Sequence, residues 1–153
     1  MKYSLTMFLA TGFFSGYLPK APGTWGSLVA LPLWLGLSFL PLSSYCLMLA
    51  AVFFVGWFVA GEAEKILDKP DPGCVVIDEI FGMFITLLAA PRSWLALILA
   101  FLLFRFFDIV KPFPVSWLDR HINGGLGIML DDAMAGIYAF LVLRLLLFWS
   151  GGI

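Results

Sequence analysis

Asp131 and Asp132 stand side by side in GLGIMLDDAMAG (125–136), where a glycine-rich stretch runs into a long apolar segment. A second acidic pair, Asp78 and Glu79, opens another apolar run in DPGCVVIDEIFG, with Asp71 seven residues upstream. One acidic residue in the first turn of a helix is favoured by the helix dipole. Two adjacent ones repel each other, so the dipole accounts for the pairs less well. A third group, RFFDIVKP, spaces Arg105, Asp108 and Lys111 three apart. That spacing puts them on one helical face, and Pro112 and Pro114 then stop the helix. Such a stripe can pair internally as a salt-bridged face. It can equally offer two cations to a phosphate and a carboxylate to a metal.

A fourth stretch, PGTWGSL (22–28), carries two glycines around Thr24 and Trp25, with Ser27 ahead of the first apolar run. Read plainly, it is a Pro-Gly turn with Ser27 as N-cap. Read chemically, it is a place where backbone N–H groups can approach a phosphate closely. Gly124, Gly125 and Gly127 form a pliable loop before the acidic pair, without a dinucleotide fingerprint. His121, the only histidine, is a minor candidate.

Six carboxylates (Asp71, Asp78, Glu79, Asp108, Asp131, Asp132) thus fall in polar segments together with Arg105, Lys111 and Lys20. Hard oxygen ligands in this number suit Mg²⁺, which is held by a few carboxylates plus water and substrate phosphate. Basic side chains neutralise phosphate oxygens.

The elements that must position these groups are oily. Of 153 residues, 62% are hydrophobic and 12% charged, against about 25% charged in a soluble domain. Too little polar side chain remains to face water all round, so the chain reads as one integral membrane domain, 1–153. A net charge of −1 marks no nucleic-acid partner. Cys46 and Cys74 have neither ligand spacing nor a redox pairing pattern. The N-terminal MKYSLTMFLATGFF lacks a convincing cleavage site and reads as a retained, amphipathic segment lying at the interface.

Five apolar runs follow, at 28–42, 45–61, 79–90, 94–107 and 133–149. Helix is the form that satisfies the backbone in lipid, so the fold class is all-α: a bundle of about four to five membrane-embedded helices plus the interfacial one. Only the second and fifth runs clearly reach the ~20 residues a crossing needs. The third and fourth can form a shallow or tilted hairpin. PLSS (41–44) and APRS (90–93) read as tight turns, whereas 15–27, 62–78 and 108–132 are long and polar. Tracing the zigzag puts every polar loop on one side. Lys2, Lys20, Lys65, Lys69, Arg105, Lys111 and Arg120 fall on that side, with Arg92 opposite and Arg144 near the far end of its helix. Lys and Arg favour the cytoplasm, so the polar face is predicted to be cytoplasmic. A phosphorylated lipid would then place its head group among the acids and its chains among the helices.

Together, APGTWGSL, VIDEIFGM, FRFFDIVKPFP and GGLGIMLDDAMAG resemble the phosphatidylglycerophosphatase A family, in order and over most of the chain. The resemblance implies a bacterial inner-membrane enzyme with an all-helical core. It implies Mg²⁺-dependent removal of the terminal phosphate of phosphatidylglycerophosphate. On this reading Asp78, Glu79, Asp131 and Asp132 hold the metal, with Asp71 supporting. Thr24, Gly26, Ser27, Gly124 and Gly125 bind the substrate phosphate. Arg105, Lys111 and Asp108 are catalytic, Asp108 being a further ligand, a general acid/base or the nucleophile. Glu62, Glu64 and His121 are not carried over. Two rivals stand beside it. A head-group phosphotransferase lacks its D-G-x-x-A-R pattern here. A small transporter would place its acids near mid-bilayer.

Overall fold

The computed structural model describes residues 2–150 and is all-helical among them. The two ends of the 1–153 domain and the side chain of Lys2 lie outside the described residues. Seven α-helices follow one another: α1 (Lys2–Ala10), α2 (Pro22–Leu37), α3 (Leu42–Leu67), α4 (Ile77–Thr86), α5 (Trp94–Val110), α6 (Val115–His121) and α7 (Gly124–Trp149), with a 3₁₀ turn at Ser15–Tyr17.

Local chemistry sets the boundaries. Pro22 opens α2, where its missing N–H costs nothing, so Ser27 lies inside the helix instead of capping it. Ser93 caps α5 by accepting the Ala96 N–H at 3.2 Å. Lys111 ends α5 in the left-handed region (φ 47°) just before Pro112. Several boundaries depart from the apolar runs. α2 starts at Pro22 and α7 at Gly124, both ahead of their runs, α3 continues past its run to Leu67, and α6 forms within the 108–132 segment that reads as loop.

α3 and α7, at 26 residues each, are long and apolar enough to cross a membrane. Only 17% of the apolar window of α3 is buried, against 56% for α7. α3 therefore presents most of its surface outward, with Leu47, Phe54 and Phe58 well exposed, while α7 runs through the bundle. α1 packs on α3 through Met7 and Ala10 against Val59, Ala60 and Ala63.

α4 is the centre of the fold. Ten residues long, it begins and ends inside the bundle with Ile80, Phe81, Met83 and Phe84 buried. The carbonyls at a helix C-terminus have no partners within the helix, and within a bundle other groups must supply them. Tyr45 donates its hydroxyl to Phe84 O (2.7 Å) and Trp34 its indole N–H to Leu87 O (3.0 Å). Arg144 donates to Leu88 O and Ala89 O (2.7 and 2.6 Å). Arg144 thus ties the far end of α7 to the turn that follows α4.

Glycines allow α7 to approach closely. A Cβ on Gly136 would lie 2.6 Å from Gly82 O, and one on Gly125 would lie 2.3 Å from Trp57 O. Small residues at such crossings let two backbones pack without lipid between them. The short turns meet at one end, where Arg92 donates to Ser38 O at 2.9 Å. The long polar connections gather at the other, around one pocket.

Candidate active site

The pocket has a volume of about 500 Å³ and lies where three helices begin and one ends. α2 contributes Pro22 and Gly23 from its first turn, and α4 contributes Asp78 and Glu79 from its own. α7 contributes Asn123 and Gly124 at its start and Asp131 and Asp132 two turns further in. The closing end of α5 brings Arg105, Asp108 and Lys111. Glu64, Asp71 and Asp119 complete the charged lining.

The segment leading into α4 is held tightly. Val76 donates its N–H to Ala10 O at 2.8 Å. A Cβ on Gly16 would sit 2.0 Å from Cys74 O, and one on Gly26 would sit 2.6 Å from Val76 Cβ. Gly26 therefore permits α2 to lie against this segment and does not line the pocket. Ser27 is fully buried and donates to Gly23 O at 2.8 Å. Thr24 does not line the pocket either. Of this motif, it is Gly23 that reaches the acids. A Cβ there would lie 2.2 Å from Oε1 of Glu79 and 2.8 Å from a guanidinium nitrogen of Arg105.

The last acidic pair does not open its helix. α7 starts at Gly124, so Gly124 and Gly125 form its first turn, and Asp131 and Asp132 lie within it. Adjacent helical residues point about 100° apart, and the pair divides accordingly. Asp132 turns toward α4, joining Asp78 and Glu79 in a group whose ligand oxygens all lie within 4.8 Å of one another. Asp131 accepts from Lys111 Nζ at 2.8 Å and, through Oδ1, from the Asp132 N–H at 3.0 Å. It lies beside the three-carboxylate group and not within it. Gly124 lines the pocket in the left-handed region (φ 76°), whereas Gly125 is buried against α3.

The basic residues are already engaged. Arg105 pairs with Asp108 and comes within 3.9 Å of Glu79. Lys111 bridges Asp119 and Asp131. Burial alone would lower the Lys111 ammonium, but the hydrogen bonds to Asp119 and Asp131 outweigh it and hold the pKa above its ordinary value. Lys20 does not line the pocket. His121 stacks on Trp117 and also lies outside it.

The acids outnumber the cations. Glu64, Asp71, Asp78, Glu79, Asp108, Asp119, Asp131 and Asp132 face Arg105 and Lys111 alone. Burial, then the neighbouring charges of Glu79 and Asp132, push the Asp78 carboxyl well above its usual range. Burial raises Glu79 to about 7, with Asp108 adding to the rise and Asp78 and Arg105 opposing it. Asp78 Oδ1, Glu79 Oε2 and Asp132 Oδ2 are buried without a hydrogen-bond partner. A buried polar atom left in that state costs ~1–3 kcal/mol, more when charged. Three carboxylates from two helices, each with a buried oxygen lacking a partner and each offering an oxygen within 4.8 Å of the others, match the donor set of a hard divalent cation.

Sequence reasoning missed Glu64, Asp119 and Gly23. Glu64 Oε1 accepts the Asp71 N–H at 2.9 Å and so holds the turn at Asp71, which has φ 42°. The signal for Glu64 was an α3 longer than its apolar run. For Asp119 it was a short helix hidden between Pro114 and the glycines that open α7.

A family model described as phosphatidylglycerophosphatase A matches residues 8–147. The chain belongs to the phosphatidylglycerophosphatase A family. The match takes in every element that lines the pocket. Among relatives of this family member, phosphatidylglycerophosphatase A of Escherichia coli is 42% identical over 130 residues, covering 84% of this chain and 76% of the relative. That of Haemophilus influenzae is 42% identical over 143 residues, covering 92% and 88%. A Bacteroides thetaiotaomicron protein named putative phosphatidylinositol-3-phosphatase is also 42% identical, over 147 residues and 91% of each chain. No solved structure matches the chain significantly.

Proposed function

We propose that this chain is a Mg²⁺-dependent lipid phosphatase of the bacterial inner membrane, converting phosphatidylglycerophosphate to phosphatidylglycerol and inorganic phosphate. The observation that carries the reading is the trio Asp78, Glu79 and Asp132, whose orphaned oxygens stand beside the cations of α5 in a pocket of head-group size. Family membership supplies the reaction class.

Asp78, Glu79 and Asp132 would hold the metal. When bound, Mg²⁺ supplies charge neutralisation at a phosphoryl oxygen and a polarised water. The protein's own residues do the rest. Arg105 and Lys111 orient the phosphomonoester and offset charge on its oxygens in the transition state. The free N–H groups in the first turn of α7, at Gly124, add a backbone anion site. Asp108, fixed by Arg105, is the carboxylate placed to take the proton of an attacking water. The terminal P–O ester bond breaks, the phosphoryl group gains the water oxygen, and the glycerol oxygen leaves as an alcohol with the proton that Asp108 took up. A phosphoryl group trapped covalently on Asp108 after acid quench would replace direct water attack with an aspartyl-phosphate route. Asp131 positions Lys111, and Asp71, held by Glu64, shapes the rim.

We place four to five helices in the bilayer, α1 at its surface, and the pocket on the cytoplasmic side. Two spans of sufficient length and the exposed apolar side chains of α3 and α5 support this placement. So does the gathering of Lys and Arg at the pocket end. A tag at the C-terminus found in the cytoplasm would overturn it.

The relative from Bacteroides thetaiotaomicron favours one second reading, the same chemistry on an inositol phospholipid. Phosphate release from purified protein separates the two. The experiment compares phosphatidylglycerophosphate, phosphatidylinositol 3-phosphate and phosphatidic acid, each with and without EDTA. Release from the first, abolished by EDTA, is expected. Release from the second alone would move the assignment to the inositol lipid.

A further inference from the structure

α2 and α3 are consecutive helices joined by a short turn, yet they splay apart and leave α4 as the floor of a gap between them. The gap holds two adjoining apolar hollows. The first, of about 250 Å³, is lined by Leu9, Leu33, Val52, Val55, Ile80 and Phe84 among others. The second, of about 310 Å³, shares Leu33, Val52 and Phe84 and continues past Gly36 to Met48. Gly36 leaves side-chain space open at one end. From Met48 to Val55 the groove follows eight residues of α3, or about 10 Å of helix.

We propose that this groove seats one acyl chain of the lipid substrate, a proposal that rests on the lipid-phosphatase reading above. Three observations favour a hydrocarbon chain. The named lining is entirely side chains without a polar group, so neither a peptide backbone nor a head group would find hydrogen-bond partners there. The groove faces the outward surface of α3, beside Leu47 and Phe54, where lipid and not water is the neighbour in a spanning helix. It also adjoins the pocket across one turn of α4. Ile77 and Ile80 line the groove, while Asp78 and Glu79 between them line the polar pocket. A single diacyl lipid can therefore place its phosphate on one side of that turn and a chain on the other.

The test uses the full-length protein in nanodiscs with a phosphatidic acid probe carrying a diazirine on one acyl chain, which reads occupancy without turnover. Saturable labelling at Leu33, Val52 and Val55, competed by unlabelled lipid, is expected. Val52→Trp should cut it at least tenfold; if that variant does not fold, the milder Ala51→Leu should still lower it in folded protein. Labelling spread evenly over Leu47, Phe54 and Phe58 and not saturable would mean ordinary boundary lipid and would overturn the proposal. In parallel, Val52→Trp should lower kcat/KM for long-chain phosphatidylglycerophosphate at least tenfold and leave the dihexanoyl form nearly unchanged. Equal activity on both chain lengths in wild type and variant sinks the groove alone. Saturable labelling with no phosphate release from either substrate sinks the phosphatase reading and leaves the groove as a lipid site.

Discussion

Gly23 sits against Glu79 so closely that a single methyl group would strike the carboxylate, its Cβ falling 2.2 Å from Oε1. The first turn of α2 thereby acts as a wall that fixes where the Glu79 carboxylate lies. Gly23→Ala is expected to lower kcat at least tenfold while moving Tm little, because the clash is confined to the pocket and the backbone there is helical. Thr24→Ala, whose side chain is outside the pocket lining, serves as the control and should stay near wild type. Steady-state phosphate release and a thermal melt on both variants check this.

Asp132→Asn removes one charge from a trio that, without an ion, repels itself. Turnover should fall by more than a hundredfold. The metal-free protein, however, should melt higher than wild type, because relieving a buried unpaired charge is stabilising. Mg²⁺ should raise the wild-type Tm and not that of the variant. A variant that melts lower in EDTA would point to a structural role for Asp132 instead.

Glu79 titrates near 7 in the folded chain, above its ordinary value. Its raised pKa means that folding favours the protonated form. The associated stability is fully present below about pH 4.5, the ordinary value for a glutamate, and is lost as pH rises through 7. Metal-free protein should therefore lose Tm between pH 5 and 8, and saturating Mg²⁺ should flatten or reverse that slope. Asp78, raised by the same burial, acts in the same direction. Melts across this range with EDTA or Mg²⁺ test the sign.

Arg144 holds two carbonyls in the turn that follows α4, at the end of the bundle away from the pocket. Arg144→Met keeps much of the apolar stem and leaves both carbonyls without a donor. A loss of ~1–3 kcal/mol is expected, with kcat at permissive temperature unchanged. Lowered kcat with unchanged stability would show that this end of α4 communicates with the pocket.

The helical class and the convergence of the acids on one end were legible because composition and hydropathy govern them. Asp78, Glu79, Asp108, Arg105 and Lys111 all line the pocket that their spacing pointed to. What was not legible depends on packing. The register of α7 decided which of two adjacent aspartates faces α4, and that register is set by the glycine crossings at Gly125 and Gly136. Gly26 and Ser27 looked like a phosphate loop because a Pro-Gly start to a helix and a glycine loop share a composition. Only the close contact with Val76 separates them. Glu64 lay hidden because hydropathy marks where lipid ends and not where the helix does.

The most direct measurement is calorimetric titration of Mg²⁺ into EDTA-stripped, re-dialysed protein, with phosphate release from phosphatidylglycerophosphate followed at each point. Binding and activity should rise together, and both should vanish in Asp132→Asn. Undiminished phosphate release in excess EDTA, or saturable Mg²⁺ binding of wild-type affinity in that variant, would contradict a metal held by Asp78, Glu79 and Asp132.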